Sequence, residues 1–169
     1  MVVTSIYKRY EPAKEPQNNN NAKAWMFVFN ADQLLVKEAA ENLSIPTSKD
    51  TDGWLSQSQN RRYLGELEGM PAYYLEVDAT DAPPGLAFRN LRSLLGLLDE
   101  DIFLLAGRAS QLINWNRMTS FCGKCGTPTA LQQSELVKKC PRCKALFYPR
   151  LSPAIIVAVI KDDKLLLAH

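Results

Sequence analysis

Four cysteines constrain this chain more than any other feature. They are Cys122, Cys125, Cys140 and Cys143, the full complement of the 169-residue sequence, in the pattern Cys-x2-Cys-x14-Cys-x2-Cys. Each Cys-x-x-Cys closes a tight turn that can aim two sulfurs at one centre, and Gly123, Gly126 and Pro141 suit such turns. The linker GTPTALQQSELVKK is long enough for one hairpin that returns the second pair beside the first, although it is slightly shorter than the customary spacing. Zn²⁺ takes four thiolates in a closed tetrahedron that leaves no position for a catalytic water. The spacing therefore predicts one structural zinc ion in a four-cysteine ribbon. Two disulfides or free thiols are the alternatives, and a reducing compartment disfavours the disulfides. A redox Cys-x-x-Cys would leave the second pair unexplained.

Charge is unevenly spread. The chain carries a formal +2, yet the stretch from Arg117 to Arg150 holds seven Lys or Arg and a single Glu, so the remainder is net acidic. Lys124, Lys138, Lys139, Arg142 and Lys144 would offset the charge of a tetrathiolate centre and hold the thiolate pKa values down. The same patch suits anionic partners such as phosphates. The longest apolar run, Ala154–Ile160, is too short to span a bilayer. Lys8, Arg9, Glu11, Lys14 and Glu15 interrupt any signal-peptide core. The expectation is a cytoplasmic protein with no membrane segment.

Residues 1–21, ending in EPQNNNN, read as a mobile arm with little of its own to bury. AWMFVFNADQLLVKE predicts a hairpin turning at Asn30-Ala31-Asp32, and RRYLGELEGMPAYYLEVD a second one turning at Gly69 and Pro71. Between them, NLSIPTSKDTDGWLSQSQN reads as loop. Leu91, Leu94, Leu95 and Leu98 fall at helical spacing, and a further helix is predicted over DIFLLAGRASQLINWNRM with Leu105, Leu112 and Trp115 inward. These pieces make a small α+β domain over residues 22–116, followed by the ribbon over 117–150. The final segment, 151–169, reads as a β-hairpin: a strand at Ile155–Ile160, a turn at Asp162-Asp163, and a return at Leu165–Ala168. Its lack of outward polar positions implies cover on both faces, as if the chain stopped inside a domain.

From Phe121 onward the sequence resembles the NADH pyrophosphatases, a family of Nudix hydrolases. The residues carrying the match are FCGKCG, the second Cys pair, Tyr148-Pro149, Pro153, the Ile155–Ile160 strand and Asp162-Asp163. Upstream, GELEGMPAYYLEVD and LLAGRASQLINWNRMTSFC are similar to the family's N-terminal domain. The resemblance implies that residues 151–169 open a Nudix α/β/α sandwich. It implies cleavage of NAD(H) to NMN(H) and AMP, with NAD-capped RNA a further substrate, and homodimers. It further implies Mg²⁺ or Mn²⁺ bound by a Glu-rich box reading Arg-Glu-x-x-Glu-Glu. That box is missing from this sequence, so the chain as it stands is expected to be inactive.

Two residues match substrate-contacting positions of the family. Tyr148, five residues after the last cysteine, could stack on a base or nicotinamide; packing on the ribbon's own core explains it as well. Arg92 aligns less directly with a phosphate-binding Arg; a solvated helix position is the simpler account. Trp25, Trp54 and Trp115 read as core or interface, Glu66, Glu68 and Glu76 as a solvated face, and His169 has no assignable role. Asp99-Glu100-Asp101 reads as a helix start. On chemistry alone, a nucleic-acid-binding ribbon or a dimerisation scaffold stands as the rival class.

Overall fold

A computed structural model of the chain describes residues 9–12, 23–39, 42–55, 61–79, 81–132, 135–150, 152, 155 and 157–167. Most of the predicted arm, together with Pro153, Ile156, Ala168 and His169, lies outside the described residues. Where the arm is described it contradicts the expectation of little to bury. Tyr10–Glu11 form a short strand, β1. Tyr10 is buried, and its hydroxyl donates to the Leu64 carbonyl. Arg9 pairs with Glu68, with Asp99 at 2.8 Å and with Asp101 at 3.1 Å.

The two predicted hairpins form. In the first, β2 (Trp25–Asn30) and β3 (Gln33–Ala39) turn through Ala31 in the left-handed region at φ 51°. Short β4 (Asn42–Ser44) pairs back on β3, and Thr47 bridges to Trp25. In the second, β5 (Arg62–Leu67) and β6 (Met70–Glu76) turn through Glu68 and Gly69, both at positive φ; Pro71 lies within β6. The two hairpins join through a parallel pairing of β2 with β6, which local sequence does not announce. The sheet runs β1-β5-β6-β2-β3-β4, with β7 (Leu86–Asn90) also paired to β3.

Both faces of this sheet are covered, which explains why WMFVF and Leu34-Leu35-Val36 are apolar without alternation. Phe27, Phe29, Leu34, Val36, Leu67 and Tyr74 pack with Leu105, Ala109, Leu112 and Ile113 of helix α1 (Glu100–Met118). Met26, Val28, Leu35 and Leu75 form a smaller cluster under Trp54, Leu55 and Phe88. Each side chain fully buried in this way contributes about 1.5–3 kcal/mol. Trp25 and Trp115 belong to the core as expected, and Trp54 stacks at a tilt against Phe88 with centroids 6.3 Å apart.

Helix α1 begins where the acidic run predicts. Asp99 caps it by accepting from the Asp101 N–H at 3.1 Å. The other predicted helix is absent. Leu86–Asn90 is a strand, and only Leu91–Leu94 turns, as a 3₁₀ segment capped by Asn90. Leu94 and Leu98 reach the core, whereas Leu95 is 70% exposed. A single 3₁₀ turn followed by a bend presents residues three and four apart just as a helix does, and Gly96 at φ 78° ends it. Glu68 and Glu76, read as merely solvated, are ion-paired to Arg9 and Arg117.

Beyond α1, β8 (Ala130–Leu131), β9 (Lys138–Lys139) and β10 (Leu146–Phe147) form a three-stranded antiparallel sheet. The last hairpin pairs only β11 (Ile160–Lys161) with β12 (Lys164–Leu165) around Asp162-Asp163. The predicted strand over Ile155–Ile160 therefore reduces, in its described part, to Ile160. Among the described residues no helix is long and apolar enough to cross a membrane.

Candidate zinc ribbon and the groove beside it

The two knuckles are built alike. Cys122 accepts at its carbonyl from Gly126 N–H at 2.8 Å, and Cys140 from Lys144 N–H at 3.0 Å. Cys122 N–H donates to Thr127 O at 2.8 Å, and Cys140 N–H to Ala145 O at 2.9 Å. The residue that ends each turn takes positive φ, Gly126 at 71° and Lys144 at 62°. Glycine makes that conformation without penalty, while lysine pays for its Cβ. The result brings all four sulfurs within 4.8 Å of one another. Cys122 and Cys140 are buried, and Cys125 and Cys143 half-buried. The Cys122–Cys143 and Cys125–Cys140 sulfurs lie 3.5 Å apart. Among the described residues this is the one gathering of three or more potential metal ligands.

The donor set and its closeness fit a tetrahedral zinc ion and nothing catalytic. The thiols are poised unequally. Hydrogen bonding to Thr127 brings Cys125 down to about 6. The Cys143 N–H lowers Cys140. Cys143 goes up to about 11: the Ala145 backbone pulls it down, but burial and hydrogen bonds with the other three cysteines outweigh that. Four thiols sharing one small volume cannot all ionise without a dication, so metal binding and proton release are linked.

The basic residues divide in function. Lys124, Arg142 and Lys144 stand on the surface. Lys138 is buried, and its ammonium donates to the Asn116 carbonyl at 2.7 Å, in the last turn of α1. This favourable helix-end contact fastens the ribbon to the sheet domain. Thr129 and Thr119–Ser120 add backbone and hydroxyl bonds at the same joint.

A groove of about 830 Å³ runs between α1 and the ribbon. Trp115, Met118 and Thr119 line one wall, and Leu146, Phe147, Tyr148 and Arg150 the other. Tyr148 is 54% exposed at the rim of this groove. Arg92 stands elsewhere, exposed on the 3₁₀ turn, and does not line this groove. The structure thus brings the four cysteines and Tyr148 into one region and leaves Arg92 outside it. Met118 escaped the sequence reading. Its signal was available, since it follows Trp115 at one-turn spacing just before Cys122.

A mixed sheet capped by one helix and fused to a four-cysteine ribbon defines an α+β zinc-ribbon protein. The chain belongs to the NADH pyrophosphatase-like family of Nudix proteins. Residues 23–115, just over half of the chain, match the NADH pyrophosphatase-like rudimentary NUDIX domain, and residues 117–148 match the NADH pyrophosphatase zinc ribbon domain. An NAD-capped RNA hydrolase NudC of Stutzerimonas stutzeri (strain A1501) is 34% identical over 152 residues, 88% of this chain and 52% of the relative. The protein of that name from Pseudomonas aeruginosa (strain LESB58) is 44% identical over 106 residues, 63% of this chain and 38% of the relative. The Deinococcus radiodurans protein of that name is 35% identical over 136 residues, 80% of this chain and 45% of the relative. The chain therefore spans about half, or less, of the length of these curated relatives.

Proposed function

We propose that this chain is the amino-terminal part of a cytoplasmic, homodimeric Nudix hydrolase. The enzyme splits the pyrophosphate of NAD(H) into NMN(H) and AMP, and acts also on NAD-capped RNA. One observation carries the reading: a half-exposed Tyr148 held at the rim of a groove by a rigid four-cysteine ribbon, in a chain of this family. Cys122, Cys125, Cys140 and Cys143 bind one structural zinc. Zinc fixes the ribbon, the ribbon fixes Leu146–Phe147 as a strand, and Tyr148 follows directly. Its ring stacks on the base or nicotinamide, an arrangement that costs little entropy because the backbone is already set. Arg92 engages a phosphate from its own separate position.

Mg²⁺ or Mn²⁺, when bound, would neutralise the pyrophosphate and orient the attacking water. Adjacent Asp162 and Asp163 at a two-residue turn do not build a cage for such ions. The 169-residue chain is accordingly expected to leave NADH intact. The test is NADH and NAD-capped RNA hydrolysis by the full gene product, wild type and Tyr148→Ala. The reading expects the variant to raise KM about tenfold, the loss of about one stacking contact, with zinc content unchanged. An unchanged KM would remove Tyr148 from the site, and an inert full-length protein would remove the function.

Exposed Lys124, Arg142 and Lys144 favour a second reading, a ribbon that holds RNA through its phosphates. It predicts RNA binding that weakens steeply with salt and shows no preference for an NAD-capped end.

A further inference from the structure

A second cleft, of about 620 Å³, opens where the last turn of α1 meets the carboxyl ends of β2 and β6. It shares no lining residue with the groove at Tyr148. β2 and β6 are the one parallel pair among the described strands of this sheet, so both carboxyl ends reach the same edge of the cleft. Arg62 and Tyr74, directly opposed across β5 and β6, stand side by side in this cleft. Tyr74 is only 3% exposed as a residue. Its hydroxyl is not one of the buried polar atoms left without a partner, so it opens on the cleft, and among the described residues no protein group bonds to it. Burial raises its pKa, so at neutral pH it remains a neutral donor. Arg62 forms no ion pair among the described residues. At the other end stands Asp78, exposed and unpaired among the described residues. The loop that carries it is held by the Asn30 amide donating to the Ala79 carbonyl at 2.7 Å. The Arg117–Glu76 pair lies across the cleft wall, and Arg117 also lines a smaller adjoining cavity of about 210 Å³.

We infer that this cleft binds a ribonucleoside 5′-monophosphate, with its phosphate on Arg62 and the Tyr74 hydroxyl and its ribose diol on Asp78. A guanidinium grips a phosphate through paired N–H donors, and a phenol supplies a further one. A carboxylate accepts from both hydroxyls of a ribose, as acidic residues do in dinucleotide sites. The volume falls within the usual range for small-molecule sites. Binding here does not require the chain to be a pyrophosphatase. Where the proposed reaction operates, both of its products belong to this ligand class, and the cleft senses product.

The experiment is titration calorimetry on the zinc-loaded 169-residue chain with AMP, adenosine and inorganic phosphate. Saturable AMP binding is expected, with adenosine at least about tenfold weaker, a loss of about one charged contact. Arg62→Gln and Tyr74→Phe should each weaken AMP about tenfold. Tyr74→Phe keeps the ring in the core, so its thermal midpoint shows that the fold persists. Asp78→Asn should weaken AMP while leaving phosphate binding intact, and Tyr148→Ala should leave AMP binding intact. The inference is overturned by no AMP binding, by adenosine binding as well as AMP, or by AMP binding that Tyr148→Ala abolishes and Tyr74→Phe does not touch.

Discussion

Gly65 is the residue on which the amino-terminal strand depends. It sits in a bulge of β5 at φ 134°, a backbone state open to glycine and closed to most side chains. A Cβ there would strike the Glu11 carbonyl and come within 2.7 Å of the Tyr10 ring. Neither can retreat easily, because Glu11 is paired to Glu66 and Tyr10 is buried. Gly65→Ala is expected to cost about 2–4 kcal/mol in urea unfolding, strain and overpacking together. Asp50 makes a milder, pH-dependent contribution. Its carboxylate bonds to Lys37 and to Thr47 N–H and Oγ1, which bring its pKa down to about 2, Lys37 foremost. A carboxyl depressed in the fold stabilises above its unfolded pKa, near 4, and loses that contribution as pH falls toward 2. Asp50→Asn should therefore be less stable than wild type at pH 6 and converge on it by about pH 2, followed by thermal midpoint. Tyr10 was illegible in sequence because the charged and Asn-rich residues around it read as solvated. Its partners, Gly65 and Leu64, lie far along the chain.

The elements differ in how openly they are written. Helix α1 was legible from Asp99 to Trp115 because its cap and its apolar spacing are both local. The cysteine knuckles were legible because metal ligation fixes spacing. The Leu91–Leu98 segment misled because one 3₁₀ turn shares the helix's spacing, and the β2–β6 pairing was silent because it joins two hairpins that are complete in themselves. Among its described residues the ribbon buries little that is apolar beyond Val137, Cys122 and Cys140, so its order must come from zinc. A strong chelator should abolish the dispersion of ribbon NMR signals while those of β2, β3 and α1 persist. Simultaneous loss of both would show that the ribbon and the sheet domain fold as one. Within the ribbon, Lys144 holds the positive-φ position that Gly126 holds in its twin knuckle. Lys144→Gly should raise the ribbon's zinc-loaded stability by about 0.5–1 kcal/mol, and Gly126→Ala should lower it by a similar amount. Equal effects of one sign would refute the twin-knuckle account.

At the scale of the whole molecule, one region has apolar surface with nothing yet against it. Ile155 is 84% exposed, and Val157, Val159, Ile160, Leu165, Leu166 and Leu167 are all exposed in the final described segment. Met118, Phe121 and Leu146, at the end of α1 and in the ribbon, are exposed as well. Soluble monomers rarely leave large apolar patches open. The relatives, which the chain covers only to 52% and 38%, carry further sequence that could lie on it. Without that sequence, water is the alternative to a second copy, and burial of several such side chains at about 1.5–3 kcal/mol each favours the copy. The 169-residue chain should therefore sediment as a concentration-dependent oligomer. Val157→Lys with Leu166→Lys should shift it toward monomer while leaving the thermal midpoint of the sheet core unchanged, since neither residue touches that core. A chain that stays monomeric at high concentration, or an oligomer indifferent to both lysines, would place the self-association surface elsewhere, with the sheet domain the next region to probe.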